Sequence, residues 1–195
     1  MLFRSPLYAP QYWLCDKSGT YGATIAVVDS VGGNDGTGAV TSEASFDPES
    51  PPNAYATIYA AANAIAAYNN TNHSRNNCGG ATIYLKEGSH VFTSGTVSAG
   101  GKASAQTWTT LTNFPGTSRE NVILSNTSGD KQIGEKLKIE GITITNFTST
   151  GPTGMDYVWQ HNCVLDLTTT GGGFYYSNSC LYITHSSLGH CQEYR

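Results

Sequence analysis

Residues 136–146 read KLKIEGITITN and contain two short strand cores joined by one tight turn. The first core is LKI at 137–139, the second is ITI at 142–144, and Glu140 and Gly141 separate them. Apolar and polar residues alternate within each core, as they do in a strand that buries one face. We therefore predict two very short strands here, each with its first and third residues directed inward.

The same pair of cores occurs twice more toward the C-terminus. Cores YVW and LDL occupy 157–159 and 165–167, and cores FYY and LYI occupy 174–176 and 181–183. Corresponding cores follow one another at steps of about 20 residues, with turns rich in Gly, Asn, Ser and Thr between them. Such a repeat is typical of a solenoid. A β-sandwich is the alternative, but its strands usually run to about five or six residues.

One helix is predicted upstream of these strands, over residues 54–68 (AYATIYAAANAIAAY). Ile58, Ala62 and Ile65 recur at spacings that form one apolar stripe, and Ala is the best helix former. The polar tract at 69–80 is expected to end the helix. Because a solenoid needs a cap over its first coil, a helix at this point in the sequence fits such a cap.

The composition excludes several classes of protein. Only 12% of the 195 residues are charged, the pI is about 5.6, and 10 Lys and Arg are too few for the basic face of a nucleic-acid binder. Hydrophobic residues make up 38% of the chain, which is enough for a core. No stretch approaches the ~18 apolar residues of a membrane span, and the N-terminus lacks the pattern of a signal peptide. We expect neither nucleic-acid binding nor membrane insertion.

The segment VGGNDGTG at 31–38 allows two interpretations. Gly, Asn and Asp tolerate positive φ, so the segment fits a turn after a first strand at 21–29. It also matches a single copy of the Gly- and Asp-rich repeat that binds calcium in some solenoids. The single copy favours the turn, because stacked copies normally supply the other ligands.

Three successive segments resemble the N-terminal part of the right-handed parallel β-helix proteins of the pectate-lyase-like superfamily. They are VVDSVGGNDGTG at 27–38, AYATIYAAANAI at 54–65 and GGATIYLKEGSHVF at 79–92. The resemblance implies an all-β fold, a right-handed parallel β-helix (solenoid) with an N-terminal capping α-helix at about 54–68. It implies one β-helix domain over 21–195, with an N-terminal extension at 1–20.

Only a short run of residues follows the last strand pair, and it contains no amphipathic segment that could close the end of a solenoid. A solenoid end without a cap leaves strand edges unpaired. We therefore expect the β-helix to be truncated at its C-terminus, with an open C-terminal coil that offers a surface for self-association.

Candidate site residues come from the later repeats. If the LDL core at 165–167 stacks on the LYI core at 181–183, Asp166 and Tyr182 project outward in one column. Aromatic rings stack on sugars and carboxylates perform acid and base chemistry, so such a column fits a polysaccharide groove. The run DYVWQHNCVLD at 156–166 also resembles the W-I-D-H-C segment of family-one pectate lyases, with Gln160 in place of the calcium-binding Asp.

The resemblance implies a carbohydrate-active protein, a polysaccharide lyase or glycoside hydrolase that acts on an anionic glycan. His161, Asp166 and His185 are the catalytic candidates, and Asp156 and Asp166 are the metal candidates. A lyase would use Ca²⁺, and no other cofactor is implied. The alternative is a non-catalytic glycan-binding protein, such as a segment of a phage tail fibre or tailspike or a surface adhesin. Either function implies a polysaccharide partner and an extracellular, surface or virion location.

Overall fold

The computed structural model describes residues 23–72, 80–92, 109–126, 137–147, 158–161, 164–166, 181–184 and 187–188, the last four ranges by backbone pairing alone. Within them lie one α-helix, α1 (Ile58–Asn72), and two short 3-10 helices, Glu43–Ser45 and Arg119–Asn121. The predicted domain boundary near residue 20 lies outside the described residues. The strands are β1 (Thr24–Val28), β2 (Val40–Ser42), β3 (Ala81–Leu85), β4 (Gly88–Phe92), β5 (Thr109–Asn113), β6 (Val122–Asn126), β7 (Leu137–Glu140), β8 (Thr143–Phe147), β9 (Val158–His161), β10 (Val164–Asp166), β11 (Leu181–Thr184) and β12 (Ser187–Leu188).

The strands form two sheets. Sheet A has seven strands in the order β11-β9-β7-β5-β3-β1-β2, and sheet B has five in the order β12-β10-β8-β6-β4. From β3 onward, each described strand of sheet A is followed in sequence by a strand of sheet B. These strands pair in parallel with their neighbours, whereas β2 runs antiparallel to β1.

The predicted fold class, an all-β right-handed parallel β-helix (solenoid) with a capping helix, is wrong. Sheet A is mixed, because β2 adds an antiparallel strand to its edge. The helix is also more than a cover, since Ile58, Ala61, Ala62 and Ile65 are buried in the same core as the strands. Small Ala side chains let α1 pack closely against the strands. The described residues therefore have α/β character, with one helix packed against the mixed sheet A and the parallel sheet B.

The helix lies four residues later than predicted, at Ile58–Asn72 rather than 54–68. The helix starts later because Tyr55 pairs with the edge of sheet A. The Tyr55 backbone N–H donates to the Val27 carbonyl at 2.8 Å, and the Tyr55 carbonyl accepts from the Asp29 N–H at 2.9 Å. The helix end lies inside the predicted polar tract, because Asn69 is buried and its Oδ1 accepts from Thr24 Oγ1 at 2.5 Å.

The N-terminus of α1 is fixed by a residue that is distant in sequence. The Asp35 carboxylate accepts hydrogen bonds from the backbone N–H groups of Ala56 and Thr57, at 2.8 and 2.9 Å, and from the Thr57 hydroxyl at 2.9 Å. Thr57 Oγ1 in turn accepts from the Ala60 N–H at 3.1 Å, which is the pattern of an N-cap residue. These bonds satisfy N–H groups that a helix leaves without partners in its first turn.

The core lies between the two sheets and under the helix. Ile83, Leu111 and Ile139 stack in register in sheet A, and Leu124 and Ile144 do so in sheet B. All five are almost completely buried. Each such side chain contributes about 1.5–3 kcal/mol relative to an exposed one. The alternation predicted at 137–144 is therefore confirmed where side chains are described.

The turn from β7 to β8 requires glycine. Gly141 has a φ of 63°, a left-handed conformation that favours glycine. A Cβ atom on Gly141 would also lie 2.5 Å from Asn113 Oδ1, which is too close for a real contact. This turn carries the chain from sheet A to sheet B directly after Glu140, so it fixes the position of that residue on the outer surface.

Candidate functional site: the outer face of sheet A

The outer face of sheet A carries two rows of polar side chains. In β3, β5 and β7, alternate residues are buried in the core, so the residues between them face away from it. Parallel pairing places these outer residues in register, about 4.8 Å apart from strand to strand. The first outer row consists of Thr82, Thr110 and Lys138, and the second outer row consists of Tyr84, Thr112 and Glu140.

An ion pair joins the two outer rows on β7. Lys138 Nζ lies 2.6 Å from Glu140 Oε2, and the two side chains are 17% and 33% exposed. Partial burial reduces the screening of this pair by water and salt. The pair therefore presents a fixed cation and a fixed carboxylate, with little net charge, to a ligand on this face.

Three aromatic rings cluster at the β3 end of the second outer row. Phe46 stacks on Tyr84 with ring centroids 4.9 Å apart, and Phe114 packs edge-on against both rings at 6.2 and 6.1 Å. Burial raises the pKa of the Tyr84 hydroxyl, and the charges of Glu43 and Glu140 raise it further. Tyr84 therefore keeps its proton at neutral pH and can donate a hydrogen bond.

The backbone register places residues of β9 and β11 at the positions that follow Lys138 and Glu140 in sheet A. Trp159 takes the position next to Lys138, and His161 takes the position next to Glu140. Tyr182 then follows Trp159, and Thr184 follows His161. Each series of in-register positions thus has five members from β3 to β11, and all ten residues are of aromatic, hydroxyl or ionisable types.

The predicted catalytic residues do not share one sheet. His161 ends β9 in sheet A, whereas Asp166 ends β10 in sheet B, at the register position next to Thr145. His185 and the metal candidate Asp156 lie outside the described residues. The backbone therefore places one of the three predicted catalytic residues, His161, beside the outer rows.

The predicted column of Asp166 and Tyr182 is wrong. Leu165 pairs with Leu188 in sheet B, and Tyr182 pairs with Trp159 in sheet A. The spacing of apolar residues is the same in strands of both sheets, so the local pattern could not identify which strands are neighbours. Register depends on the lengths of the turns between strands, which differ from one repeat to the next.

The Gly- and Asp-rich segment at 31–38 is used to hold α1. Both carboxylate oxygens of Asp35 accept hydrogen bonds from protein donors, which supports the turn interpretation of this segment. In the part of the chain that the structure describes, no three His, Cys, Asp or Glu side chains come together as a metal site. Among the same residues, no helix has the length and apolarity to cross a membrane.

Glu140 is the site residue that sequence reasoning missed. The sequence pattern places Glu140 in the turn after the core at 137–139, but β7 extends through Glu140. A signal was present in the sequence, because Glu140 follows Lys138 by two residues and strand geometry puts such residues on the same face. Extending the predicted strand by one residue would have placed both charges on the outer surface.

The chain was compared with protein-family models, curated proteins and solved structures, and nothing in these three comparisons matched it.

Proposed function

We propose that this chain is a carbohydrate-active protein that binds a polysaccharide along the outer face of sheet A. One observation carries the proposal: the two in-register outer rows, which combine hydroxyl, aromatic and ionic groups on a repeating surface. Glycans offer hydroxyl groups that donate and accept hydrogen bonds, together with apolar ring faces that pack on aromatic rings. The residue types of the outer rows complement both features.

The charges on the described part of this face favour a neutral glycan over the anionic one expected from the sequence. Lys138, the cation of the first outer row, is ion-paired with Glu140. Glu43 adds a second carboxylate whose charge reaches Tyr84. An anionic polymer would have to compete with Glu140 for Lys138, whereas a neutral polymer can accept hydrogen bonds from Tyr84 and the Thr hydroxyls without that competition.

Binding is tested with the variant Thr110→Glu, which places a bulky charge in the middle of the first outer row. Thr145→Glu is the matched control, because Thr145 is also a half-buried strand threonine but lies in sheet B. We expect neutral polysaccharides to retard the native chain in affinity electrophoresis, Thr110→Glu to lose at least about tenfold in affinity, and Thr145→Glu to bind normally. Equal binding by all three proteins would refute a site on sheet A.

Cleavage of the bound glycan is a second candidate function, because Glu140 and His161 occupy adjacent register positions. A carboxylate and an imidazole at this spacing are suitable for acid and base catalysis of a lyase or hydrolase. The polysaccharides that bind are assayed for unsaturated products and for new reducing ends, with and without Ca²⁺. Binding without either product would assign the non-catalytic alternative. For either function we also propose an extracellular, surface or virion location.

A further inference from the structure

His90 is a buried imidazole in the core of the molecule. It lies on β4 in register with Leu124 of β6, and Ile144 of β8 follows in the same row. Its exposure is 2%, similar to that of the aliphatic residues beside it. A histidine therefore takes the first place in a row that is otherwise apolar where side chains are described.

Among the described residues, one of the two ring nitrogens of His90 has a hydrogen-bond partner and the other has none. Nε2 lies 2.7 Å from the carbonyl oxygen of Lys86, so Nε2 carries the proton and donates it. Nδ1 is buried and has no partner among the described residues. Protonation at Nδ1 would create a buried N–H group, and a charge, with no acceptor to receive them.

The position of His90 links this ring to the helix. β4 is the edge strand of sheet B, and α1 packs against β4 as well as against β1 and β3. A charge on His90 would therefore arise on a strand that α1 contacts at the edge of sheet B. Movement of α1 away from β4 would give this charge access to water.

The charged groups near His90 are already engaged with each other. Asp29, which follows β1, accepts from the backbone N–H groups of Val31 and Gly32 and lies 3.5 Å from Lys86 Nζ. In the turn before β4, Lys86 adds a positive charge and the exposed Glu87 adds a negative one. The elements packed against β4 contribute no other Asp, Glu, Lys, Arg or His: α1 carries Tyr59 and Tyr68, β3 carries Tyr84, and β1 and β6 have no titratable residue.

We propose that His90 is an acid-sensitive switch, whose protonation releases α1 from β4 and opens the end of the core. Burial lowers the pKa of His90 below its ordinary value of 6.5, while the Lys86 carbonyl and the Asp29 charge oppose this shift to a smaller extent. Neutral His90 therefore stabilises the closed, folded state fully above about pH 6.5, and this stabilisation is lost as the pH falls toward the lower pKa that His90 has in the folded state. This inference is independent of glycan binding.

The switch is tested by hydrogen exchange of the α1 amides in the native chain between about pH 7.5 and about pH 5, corrected for the intrinsic pH dependence of exchange. We expect protection to fall by up to about tenfold for each pH unit below about 6.5. His90→Leu should remove this dependence. Asn69→Leu is the matched control, because it breaks the Asn69 to Thr24 hydrogen bond and should lower protection equally at every pH.

Titration of His90 itself tests the switch even if His90→Leu fails to fold. The native chain labelled at its histidine nitrogens is titrated by NMR, and the His90 signal is compared with α1 protection in the same samples. Loss of α1 protection below about pH 6.5 while His90 of the folded chain stays neutral down to its lower pKa supports the switch. A His90 pKa in the folded chain at or above its ordinary value, constant protection over this pH range, or a pH dependence that survives in His90→Leu overturns it.

Discussion

The close approach of Gly33 to Tyr55 shows how one residue determines the geometry of the loop after β1. The Gly33 N–H donates to the Asp29 carbonyl at 2.9 Å, and a Cβ on Gly33 would lie 2.2 Å from the Tyr55 carbonyl oxygen and 2.5 Å from that of Asp29. Both contacts involve backbone atoms, which cannot move without shifting the sheet edge. Gly33 is thus required for packing, although it lies in a segment that composition alone describes as a turn.

We expect Gly33→Ala to lower the free energy of unfolding by at least about 2 kcal/mol, because the backbone of Tyr55 must move to admit the methyl group. Urea denaturation followed by circular dichroism measures the change. Gly36→Ala serves as the control, since its Cβ would meet only the Asn34 side-chain oxygen, at 3.3 Å. Equal stability of Gly33→Ala and the native chain would show that the loop can relax around the methyl group.

At the scale of single residues, the sequence predicted burial well where alternation is strict. Ile139 and Ile144 are buried as expected, and Lys138 and Thr143 are not. The burial of His90 could not be predicted, because alternation in GSHVF would turn the apolar Val91 inward rather than His90. The pairing register instead places His90 in the row of Leu124. Burial of a polar residue is decided by packing partners that are distant in sequence.

The helix α1 is an element whose start depends on a loop more than 20 residues earlier. The Asp35 side chain accepts hydrogen bonds from two backbone N–H groups and one hydroxyl at the N-terminus of α1, so three hydrogen bonds join the loop to the helix. A negative charge at this end also interacts favourably with the helix dipole. The predicted boundaries were displaced by four residues because local propensity contains no information about this contact.

Asp35→Ala is expected to destabilise the chain by about 1–2 kcal/mol, because it removes the three hydrogen bonds that hold Ala56 and the N-cap residue Thr57 in place. Thermal unfolding monitored by the helical circular dichroism signal provides the measurement. Asp47→Ala is the matched control: Asp47 also accepts a backbone hydrogen bond, from the Glu49 N–H at 2.9 Å, but it lies in an exposed turn and not at the N-terminus of α1. If the two variants lose the same stability, the cap has no special role.

At the scale of the whole molecule, one core connects the helix and both sheets. Buried side chains from α1, sheet A and sheet B belong to a single cluster. The two-strand repeat correctly indicated alternating strands, but six of the described strands have five residues rather than three. The predicted second core at 181–183 lies in sheet A, the core predicted at 174–176 lies outside the described residues, and the repeat did not reveal the mixed sheet. The run VTS at 40–42 is too short to be recognised as a strand, and its antiparallel direction follows from the loop that brings it back beside β1.

We expect Ile139→Ala to cost about 2–5 kcal/mol, since it removes a buried side chain from the middle of this cluster. The transition should remain single in calorimetry, with helix and strands melting together, because the elements share the core. Thr110→Ala, on the outer face of the neighbouring strand, should change stability by no more than about 0.5 kcal/mol. Two separate transitions in Ile139→Ala would show that sheet and helix are stabilised independently.

The three-residue strand β2 also protects the molecule from misassembly. It pairs with β1, whose sequence TIAVV is uncharged, rich in β-branched residues and free of proline, as in segments that form amyloid. Without β2, one edge of β1 would present unpaired backbone groups to other chains. Because β2 is short and half-exposed, it offers incoming strands a much poorer template than the edge it covers. The antiparallel strand that distinguishes sheet A from a purely parallel one therefore keeps an amyloid-like segment within the native fold.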